Sequence, residues 1–277
     1  MPELPEVESA REYLESAVLC QPIEEVLIRD ERILSRVTPV KLNQCLTGKI
    51  FRSVQRHGKR LFLELEEDLW LTLHLGMTGW LIYQDMGEVE PAHTRMLIRF
   101  QNGRRLAFDD LRIFGEVGLT ESPSIFLTEG KMGPDALLID RDDFLKIMRS
   151  RRGTIKSLLL NQRLISGIGN LYSDEALFQA GIHPQSRSLD EMQLSRLFSI
   201  IKDVLTTSIS VRADFNHLPE SYLLRHRHHG GRCPRDGALL RHEKLGGRTC
   251  YYCPEHQRLA DSGQEDKRIN LCKTAPS

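Results

Sequence analysis

The chain has 277 residues, of which 38 are basic and 38 acidic, so its formal net charge is zero. This length accommodates about two domains with a sizeable core. The neutral average excludes a uniformly basic nucleic-acid binder, so any contact with nucleic acid must come from local clustering of charge. The chain contains no run of 18 apolar residues, so no transmembrane helix is predicted. The acidic N-terminus lacks the basic-then-apolar pattern of a signal peptide. Six cysteines do not make a disulfide scaffold at this length, and we expect a cytoplasmic protein with one metal site.

The chain opens with Met1-Pro2-Glu3-Leu4-Pro5-Glu6. A small second residue normally allows the initiator Met to be removed, which would expose the secondary amine of Pro2. A terminal amine has a pKa of about 7.7–8, and its unprotonated form attacks carbonyl-like carbons to give Schiff bases. Glu3 is a candidate proton donor beside it. The alternative interpretation is that the stretch is only a helix entry, since Pro5 suits the first turn of a helix.

The period of the apolar residues divides the chain into two halves. It predicts a helix from Pro5 to about Ala17 and then β-structure from Ile23 to about Leu119, where the period becomes two. Residues 95–108 are typical of a hairpin turned by Asn102-Gly103. We therefore expect an antiparallel β-sandwich packed by the first helix.

After Gly133-Pro134 the period becomes helical. The predicted helices are Arg141–Ser150, Thr154–Asn161, Tyr172–Ala180 and Leu189–Val211. Residues 225–258 then carry eight Arg or Lys against three Asp or Glu, together with half of the ten histidines, which predicts a basic C-terminal module. The predicted domains are 1–130, 131–225 and 226–260, followed by a disordered tail over 261–277.

Several loops contain residue types that DNA-binding sites use, although each also has an ordinary interpretation. Residues 55–60 form a basic turn between two strands, which could be a solvated hairpin tip. Residues 74–79 end a strand, and 110–115 form a loop. Residues 162–172 join two helices through a Gly-x-Gly turn, whose backbone N–H groups could face a phosphate.

Taken together, these stretches resemble the formamidopyrimidine-DNA glycosylases and, less closely, the endonuclease VIII group. The resemblance rests on the opening Met-Pro-Glu-Leu-Pro-Glu-Val-Glu and, most specifically, on the helix–two-turn–helix string that ends at His183-Pro184. Five motifs follow the family order from residue 1 to about 258. The resemblance implies an α+β fold, with an N-terminal antiparallel β-sandwich and flanking helix, a helical helix–two-turn–helix domain, and a C-terminal β-hairpin zinc finger.

The family's chemistry implies a bifunctional DNA glycosylase and abasic-site lyase of base excision repair, acting on duplex DNA with a damaged base or an abasic site. Pro2 would be the nucleophile and Glu3 the general acid. Lys59 would contact the lesion-side phosphate or assist proton transfer. Arg248 would grip the phosphates around the flipped nucleotide and assist the second elimination; a solvated turn arginine is its alternative. Intact Pro2, Glu3 and Lys59 argue against a non-catalytic DNA-binding protein, and the DNA-binding motifs argue against a tautomerase-like enzyme with an N-terminal proline base.

The resemblance also assigns DNA contacts. Met77, Arg112 and Phe114 match side chains that fill the void left by the flipped nucleotide, although Leu111 and Ile113 replace the family's proline and second basic residue. The matches expected to contact the DNA backbone are His93, Arg152, Lys156 and Asn170. For His93 a structural histidine is the alternative.

The family's zinc-finger spacing recurs as Cys233 and Asp236, sixteen residues, then Cys253 and His256. Zinc accepts thiolate, imidazole and carboxylate ligands in tetrahedral sites, so one structural zinc ion per chain is expected. Entry of Cys250 into the site and a metal-free finger are the alternatives. No cofactor is expected in the chemistry itself.

The resemblance leaves base specificity open. The family branch that excises oxidised purines usually has a longer Gly-Ser-rich loop that closes over 8-oxoguanine, whereas the segment Val211–Tyr222 is short here. We expect poor handling of 8-oxoguanine and a preference for ring-opened purines or oxidised pyrimidines. A monomer of bacterial type, associated with the nucleoid in the cytoplasm, is also expected.

Overall fold

Helix α1 (Leu4–Ala17) opens the fold in the computed structural model, which describes residues 2–259. Pro5 lies in its first turn, and Leu4, Val7 and Leu14 form its buried face. The predicted first helix is confirmed. Met1 and residues 260–277 lie outside the described residues. The expected removal of Met1 and the expected disordered tail concern these residues and stay predictions.

Two four-stranded antiparallel sheets follow. Their strands are β1 (Ile23–Ile28), β2 (Ser53–His57), β3 (Arg60–Glu64), β4 (Trp70–His74), β5 (Gly79–Asp85), β6 (Thr94–Phe100), β7 (Arg104–Asp110) and β8 (Glu116–Thr120). The strand orders are β1-β6-β7-β5 and β2-β3-β4-β8. Alternate apolar side chains of both sheets share one core with α1, which confirms the predicted sandwich. The hairpin at Asn102-Gly103 is confirmed too, with Gly103 at φ +78°.

Two short helices were not predicted, α2 (Pro39–Leu46) and α3 (Pro123–Glu129). Each begins with a proline, after a Thr38 or Ser122 whose hydroxyl accepts a backbone N–H of the first turn. This pair of start signals was present in the sequence. The apolar period was too short to reveal a helix inside a region of period two.

The four predicted helices of the second half are confirmed as α4 (Arg141–Arg149), α5 (Ile155–Leu160), α6 (Asn170–Ala180) and α7 (Glu191–Ser210). Helix α6 is buried on almost every side, as expected of a central helix. It packs on α7, which also contacts α1. Leu4 of α1 belongs to this second core, so the N-terminus of the chain is anchored in the helical part.

The finger is a hairpin of β9 (Arg241–Leu245) and β10 (Arg248–Tyr252), which confirms the predicted C-terminal hairpin. Gly246 and Gly247 both have positive φ, as its tight turn requires. None of the helices within residues 2–259 has the length and apolar character needed to span a membrane. The domain bounds 1–130, 131–225 and 226–260 stay a prediction.

Candidate active site and DNA interface

Glu3 lies at the junction of the two halves of the chain. Its carboxylate is completely buried and accepts two backbone N–H groups from the start of α6, those of Leu171 (3.0 Å) and Tyr172 (3.3 Å). The first N–H groups of a helix have no intrahelical partner, and the helix dipole favours a negative charge there. The second half of the chain therefore holds the carboxylate next to Pro2, which is also buried.

The Gly-x-Gly turn makes this approach possible. A Cβ on Gly169 would lie 2.2 Å from the carboxyl carbon of Glu3, and one on Gly167 would lie 2.5 Å from the side chain of Leu4. The two N–H groups that follow the turn are occupied by Glu3. This corrects our interpretation of the turn, because these two donors bind the Glu3 carboxylate of the same chain and are not free for a phosphate.

Lys59 is the second of the two residues in the tight turn between β2 and β3. Gly58 (φ +57°) packs against Ser166, and its N–H donates to Asp135 (2.7 Å), which also accepts from the guanidinium of Arg56 (2.5 Å). The Arg56 and Asp135 side chains are almost fully buried. This ion pair fixes the turn to the helical part of the chain, and with it the start of the Lys59 side chain.

The electrostatics of Lys59 place it with the other predicted catalytic residues. Burial lowers the pKa of its ammonium group, the negative charge of Glu3 opposes the shift, and the positive charge of Arg248 adds to it. Glu6 is a further negative neighbour, which burial drives to a raised pKa. The charges of Glu3 and Arg248 thus both act on Lys59, although the three residues lie far apart in the sequence.

A second cluster forms at the loops that the sequence assigned to void filling. Asp110 ends β7, is completely buried, and accepts the Thr78 hydroxyl (2.5 Å) and the N–H of Gly115 (2.8 Å). The N–H of Arg112 lies 3.0 Å from the Thr78 hydroxyl and 3.3 Å from Asp110. One carboxylate therefore ties the loop after β4 to the loop after β7.

The side chains carried by these two loops are exposed. Met77 is 37% and Phe114 51% exposed, and the guanidinium of Arg112 stacks over the Phe114 ring at 4.8 Å. Ile113 takes a left-handed φ of +57°, which is uncommon for a β-branched residue, and packs on the sandwich core. Exposed apolar and guanidinium groups on a tied loop are suited to enter a base stack.

The residues expected at the DNA backbone fall into different environments. Arg152 is exposed on the rim of a cleft of about 470 Å³ that Arg149, Arg151 and Arg187 also line. His93 is half-buried, with its backbone N–H bound to Asp109. Asn170 donates from its amide to the Thr249 carbonyl (2.9 Å), whereas its buried amide oxygen has no hydrogen-bond partner among the described residues.

Lys156 does not fit its expected role. It has no exposed surface, and its ammonium group is paired with the buried carboxylate of Asp174. A buried, paired lysine cannot reach a phosphate without breaking that pair, which would leave a buried charge uncompensated. The prediction that Lys156 contacts the DNA backbone is therefore wrong for this structure.

The segment after α7 is held by the buried carboxylate of Glu175 in α6. Glu175 accepts the N–H groups of Leu223 (3.2 Å) and Leu224 (2.8 Å), and burial raises the pKa of its carboxyl to about 7. Tyr222 and Leu218 are buried beside it. The short Val211–Tyr222 segment is thus anchored at its end.

We expect Glu175 to make the stability of the protein pH-dependent. Between the ordinary carboxyl pKa of about 4.5 and about 7, the unfolded chain has lost a proton that the folded protein retains. The free energy of unfolding therefore falls as the pH rises through this window, by up to about 3 kcal/mol. Urea unfolding at pH 5 and pH 8 should show a smaller fall for Glu175→Gln than for the parent. The exposed Glu220→Gln is the control, and equal falls in all three proteins would contradict the assignment.

The metal ligands predicted from the sequence converge. One ligand atom each from Cys233, Asp236, Cys253 and His256 lies within 4.8 Å of the others. The Cys253 sulfur is 3.2 Å from an Asp236 oxygen, that oxygen is 3.3 Å from Nδ1 of His256, and that nitrogen is 3.7 Å from the Cys233 sulfur. Bond lengths to zinc of about 2.0–2.3 Å place tetrahedral ligands about 3.3–3.8 Å apart, so the cluster can hold a metal ion.

Cys250 lies elsewhere, which answers the alternative that it completes the metal site. Its thiol donates to Asp174 (3.1 Å), and burial together with that carboxylate raises its pKa. Asp174 and Glu175 lie within the helix–two-turn–helix string that carries the resemblance, but nothing in the sequence indicated their partners. Asp135 had no signal beyond being an acidic residue after a Gly-Pro turn. Only the tertiary fold brings them to their partners.

Comparison with known proteins agrees with this geometry. Residues 1–117 match the formamidopyrimidine-DNA glycosylase N-terminal domain model, and 132–218 match the H2TH domain model of the same enzymes. The chain is 34% identical to the formamidopyrimidine-DNA glycosylase of Pelobacter propionicus, over 93% of this chain and 100% of that protein. It is 34% identical to that of Arabidopsis thaliana, over 94% of this chain and 71% of that protein.

Solved structures are similar as well. A Lactococcus lactis formamidopyrimidine-DNA glycosylase bound non-covalently to DNA containing an abasic site superposes with a TM-score of 0.84, at 29% identity, over 93% of this chain and all of the other. A mutant of the same Lactococcus lactis protein, in complex with DNA containing Fapy-dG, gives 0.83 at 29% identity with the same coverage. The chain therefore belongs to the formamidopyrimidine-DNA glycosylase family.

Proposed function

We propose that this protein is a bifunctional DNA glycosylase and abasic-site lyase of base excision repair, acting on duplex DNA. The observation that carries the proposal is the placement of the Glu3 carboxylate on the N-terminus of α6, next to Pro2 in the chain, with the charges of Glu3 and Arg248 both acting on Lys59. The two donors that hold Glu3 belong to the helical half of the chain. This placement supports a site with Pro2 as nucleophile, Glu3 as acid, and Lys59 and Arg248 as cations.

The chemistry assigned to these residues begins with the free amine of Pro2. Its nitrogen attacks C1′ of the damaged nucleotide, and the base leaves with the proton that the amine gives up. Glu3, in its protonated form, donates its own proton to O4′ as the sugar ring opens and the iminium forms. The iminium makes the C2′ proton acidic; its loss to the Glu3 carboxylate drives β-elimination of the 3′ phosphate, and loss of the C4′ proton then drives δ-elimination of the 5′ phosphate. Lys59 and Arg248 neutralise the phosphates that surround the flipped nucleotide.

The DNA is bound by local positive charge, since the chain has no net charge. Met77, Arg112 and Phe114 replace the stacking lost when the nucleotide leaves the helix. Arg152, His93 and Asn170 are proposed to contact the backbone. The enzyme is proposed to act as a monomer in a cytoplasmic compartment that contains the DNA.

The decisive test is borohydride trapping on a duplex with one abasic site, followed by peptide mapping. We expect a covalent adduct on an N-terminal Pro2. Protein with a verified free Pro2 that binds the duplex yet gives no adduct would overturn the lyase and favour a non-catalytic reader of damaged DNA.

The metal cluster is proposed to hold one structural zinc ion. Zinc would crosslink the loop at Cys233 to the turn at Cys253 and so stabilise the hairpin that carries Arg248. It takes no part in the bond-breaking steps, which are assigned to the amine of Pro2 and to the side chains of Glu3, Lys59 and Arg248.

We expect Cys253→Ser to reduce the zinc content from about one ion per chain to almost none, because structural zinc is almost always held by four protein ligands and this change removes a thiolate. Cys250→Ala should keep its zinc, since its sulfur faces Asp174. Elemental analysis of both purified variants, after dialysis against a chelator, makes the comparison. Loss of zinc from Cys250→Ala, with retention in Cys253→Ser, would contradict the assigned ligand set.

We also propose that the enzyme favours ring-opened purines or oxidised pyrimidines over 8-oxoguanine. The support is the anchoring of the Val211–Tyr222 segment, where Leu218 and Tyr222 are buried and so unavailable to close over a base. Single-turnover excision of 8-oxoguanine should be at least about tenfold slower than that of a formamidopyrimidine in the same duplex. Equal rates for the two bases would refute the preference.

A further inference from the structure

Arg248 has an exposed guanidinium, and within residues 2–259 that group has no hydrogen-bond or ion-pair partner. Its direction is therefore set by the backbone of β10. The three residues that follow it are all held by side chains from outside the hairpin. Whatever fixes those residues also fixes the start of the Arg248 side chain.

The first anchor is the carbonyl of Thr249. It accepts the amide of Asn170 (2.9 Å), at the start of α6, and the guanidinium of Arg227 (2.9 Å), in the segment that leads into the finger. The next two residues are anchored by Asp174 of α6, which accepts the Cys250 thiol (3.1 Å) and the Tyr251 N–H (3.1 Å).

Asp174 and Arg227 act together. The Arg227 Nε donates to Asp174 (2.9 Å) while its Nη2 reaches Thr249, and the guanidinium stacks over the Tyr251 ring at 4.8 Å. Lys156 neutralises the other oxygen of the carboxylate. The cluster is buried, with the Asp174 side chain fully inaccessible and that of Arg227 13% exposed.

We propose that Arg227 and Asp174 are positioning residues for Arg248. They lock β10 to α6, the same helix whose N-terminus holds Glu3. Helix α6 would thus determine the positions of both the acid, Glu3, and the arginine that contacts the phosphates, Arg248. The inference rests on the proposed role of Arg248 and extends it to two residues that need not touch DNA.

Arg227→Ala is the suitable variant, because Asp174 keeps Lys156 as a partner and no buried charge is left alone. We expect single-turnover cleavage of an abasic duplex to slow about tenfold, since loosened geometry is costly in a positioned site. The fraction of product that stops at β-elimination should rise. Arg227→Lys should recover part of the rate.

A double-mutant cycle separates positioning from direct action. In the Arg248→Ala background, Arg227→Ala should cause almost no additional loss. In that same Arg248→Ala background, the slope of log Kd against log salt should be unchanged by Arg227→Ala, whereas a direct phosphate contact of Arg227 would lower the slope by about one. Additive losses or a reduced slope would overturn the proposal.

Arg235→Ala is the matched control. Arg235 also joins the finger to α6, through Gln179 (2.5 Å) and the Phe178 ring, but outside β10. With zinc content verified, it should retain the parental rate and product ratio. If the parent protein and Arg248→Ala cleave the abasic duplex at the same rate, the proposed role of Arg248 is wrong. If the parent protein does not cleave the duplex at all, the proposed function itself is wrong. A normal Arg227→Ala beside an impaired Arg248→Ala would refute this inference alone.

Discussion

Gly169→Ala is expected to slow base excision by about 10²- to 10⁴-fold while the protein stays folded. The backbone of Gly169 is extended, at φ −124° and ψ −159°, so alanine is tolerated by the backbone itself. The added Cβ would instead lie 2.2 Å from the Glu3 carboxyl carbon. The Glu3 carboxylate must therefore leave the N-terminus of α6. The expected slowing equals the rate enhancement that a general acid usually contributes.

Single-turnover excision from a duplex with one formamidopyrimidine measures this effect, with Glu3→Gln as the reference for complete loss of the acid. Gly87→Ala is the matched control, because a Cβ there meets nothing within 4 Å. Thermal unfolding of each variant separates loss of fold from loss of chemistry. A Gly169→Ala protein that excises at the parental rate would show that Glu3 does not need this position.

Local signals in the sequence were sufficient for most of the elements. The change of apolar period from two to helical located the sandwich and the four later helices, and Asn102-Gly103 located a hairpin turn. The missed helices at Pro39 and Pro123 are short, and their start signals lay within a region read as strands. The spacing of apolar residues must repeat several times before it identifies an element, so it predicts long elements best.

The site was predictable only where its residues carry a motif. The resemblance named Glu3, Lys59 and Arg248, yet no spacing rule indicated that Glu3 caps α6, 168 residues away. It also suggested that Lys156 reaches DNA, whereas Asp174 buries and neutralises it. Long-range ion pairs depend on how helices pack, and one acidic residue on a neighbouring helix changes what a lysine can do.

Asp110 illustrates the same dependence, and its substitution should have the second largest effect. Asp110→Ala removes the shared acceptor of Thr78 and Gly115 and leaves a buried N–H without a partner. Hydrogen bonds to a charged group contribute about 1.5–3 kcal/mol each, so we expect the free energy of unfolding to fall by about 2–4 kcal/mol. The two loops that carry Met77 and Phe114 should then move independently.

We expect Asp110→Ala to impair nucleotide flipping even though the variant remains folded. At 25 °C a typical domain tolerates this destabilisation and remains folded, so binding can be compared directly. The fluorescence of 2-aminopurine opposite or beside the lesion reports unstacking, and we expect its rise on binding to fall by more than half in Asp110→Ala. Asp85→Ala, on the exposed end of β5 in the same sheet, should leave both stability and fluorescence unchanged. If flipping persists in Asp110→Ala while stability drops, the carboxylate serves the sandwich alone, and the exposed side chains enter the stack without needing their loops tied together.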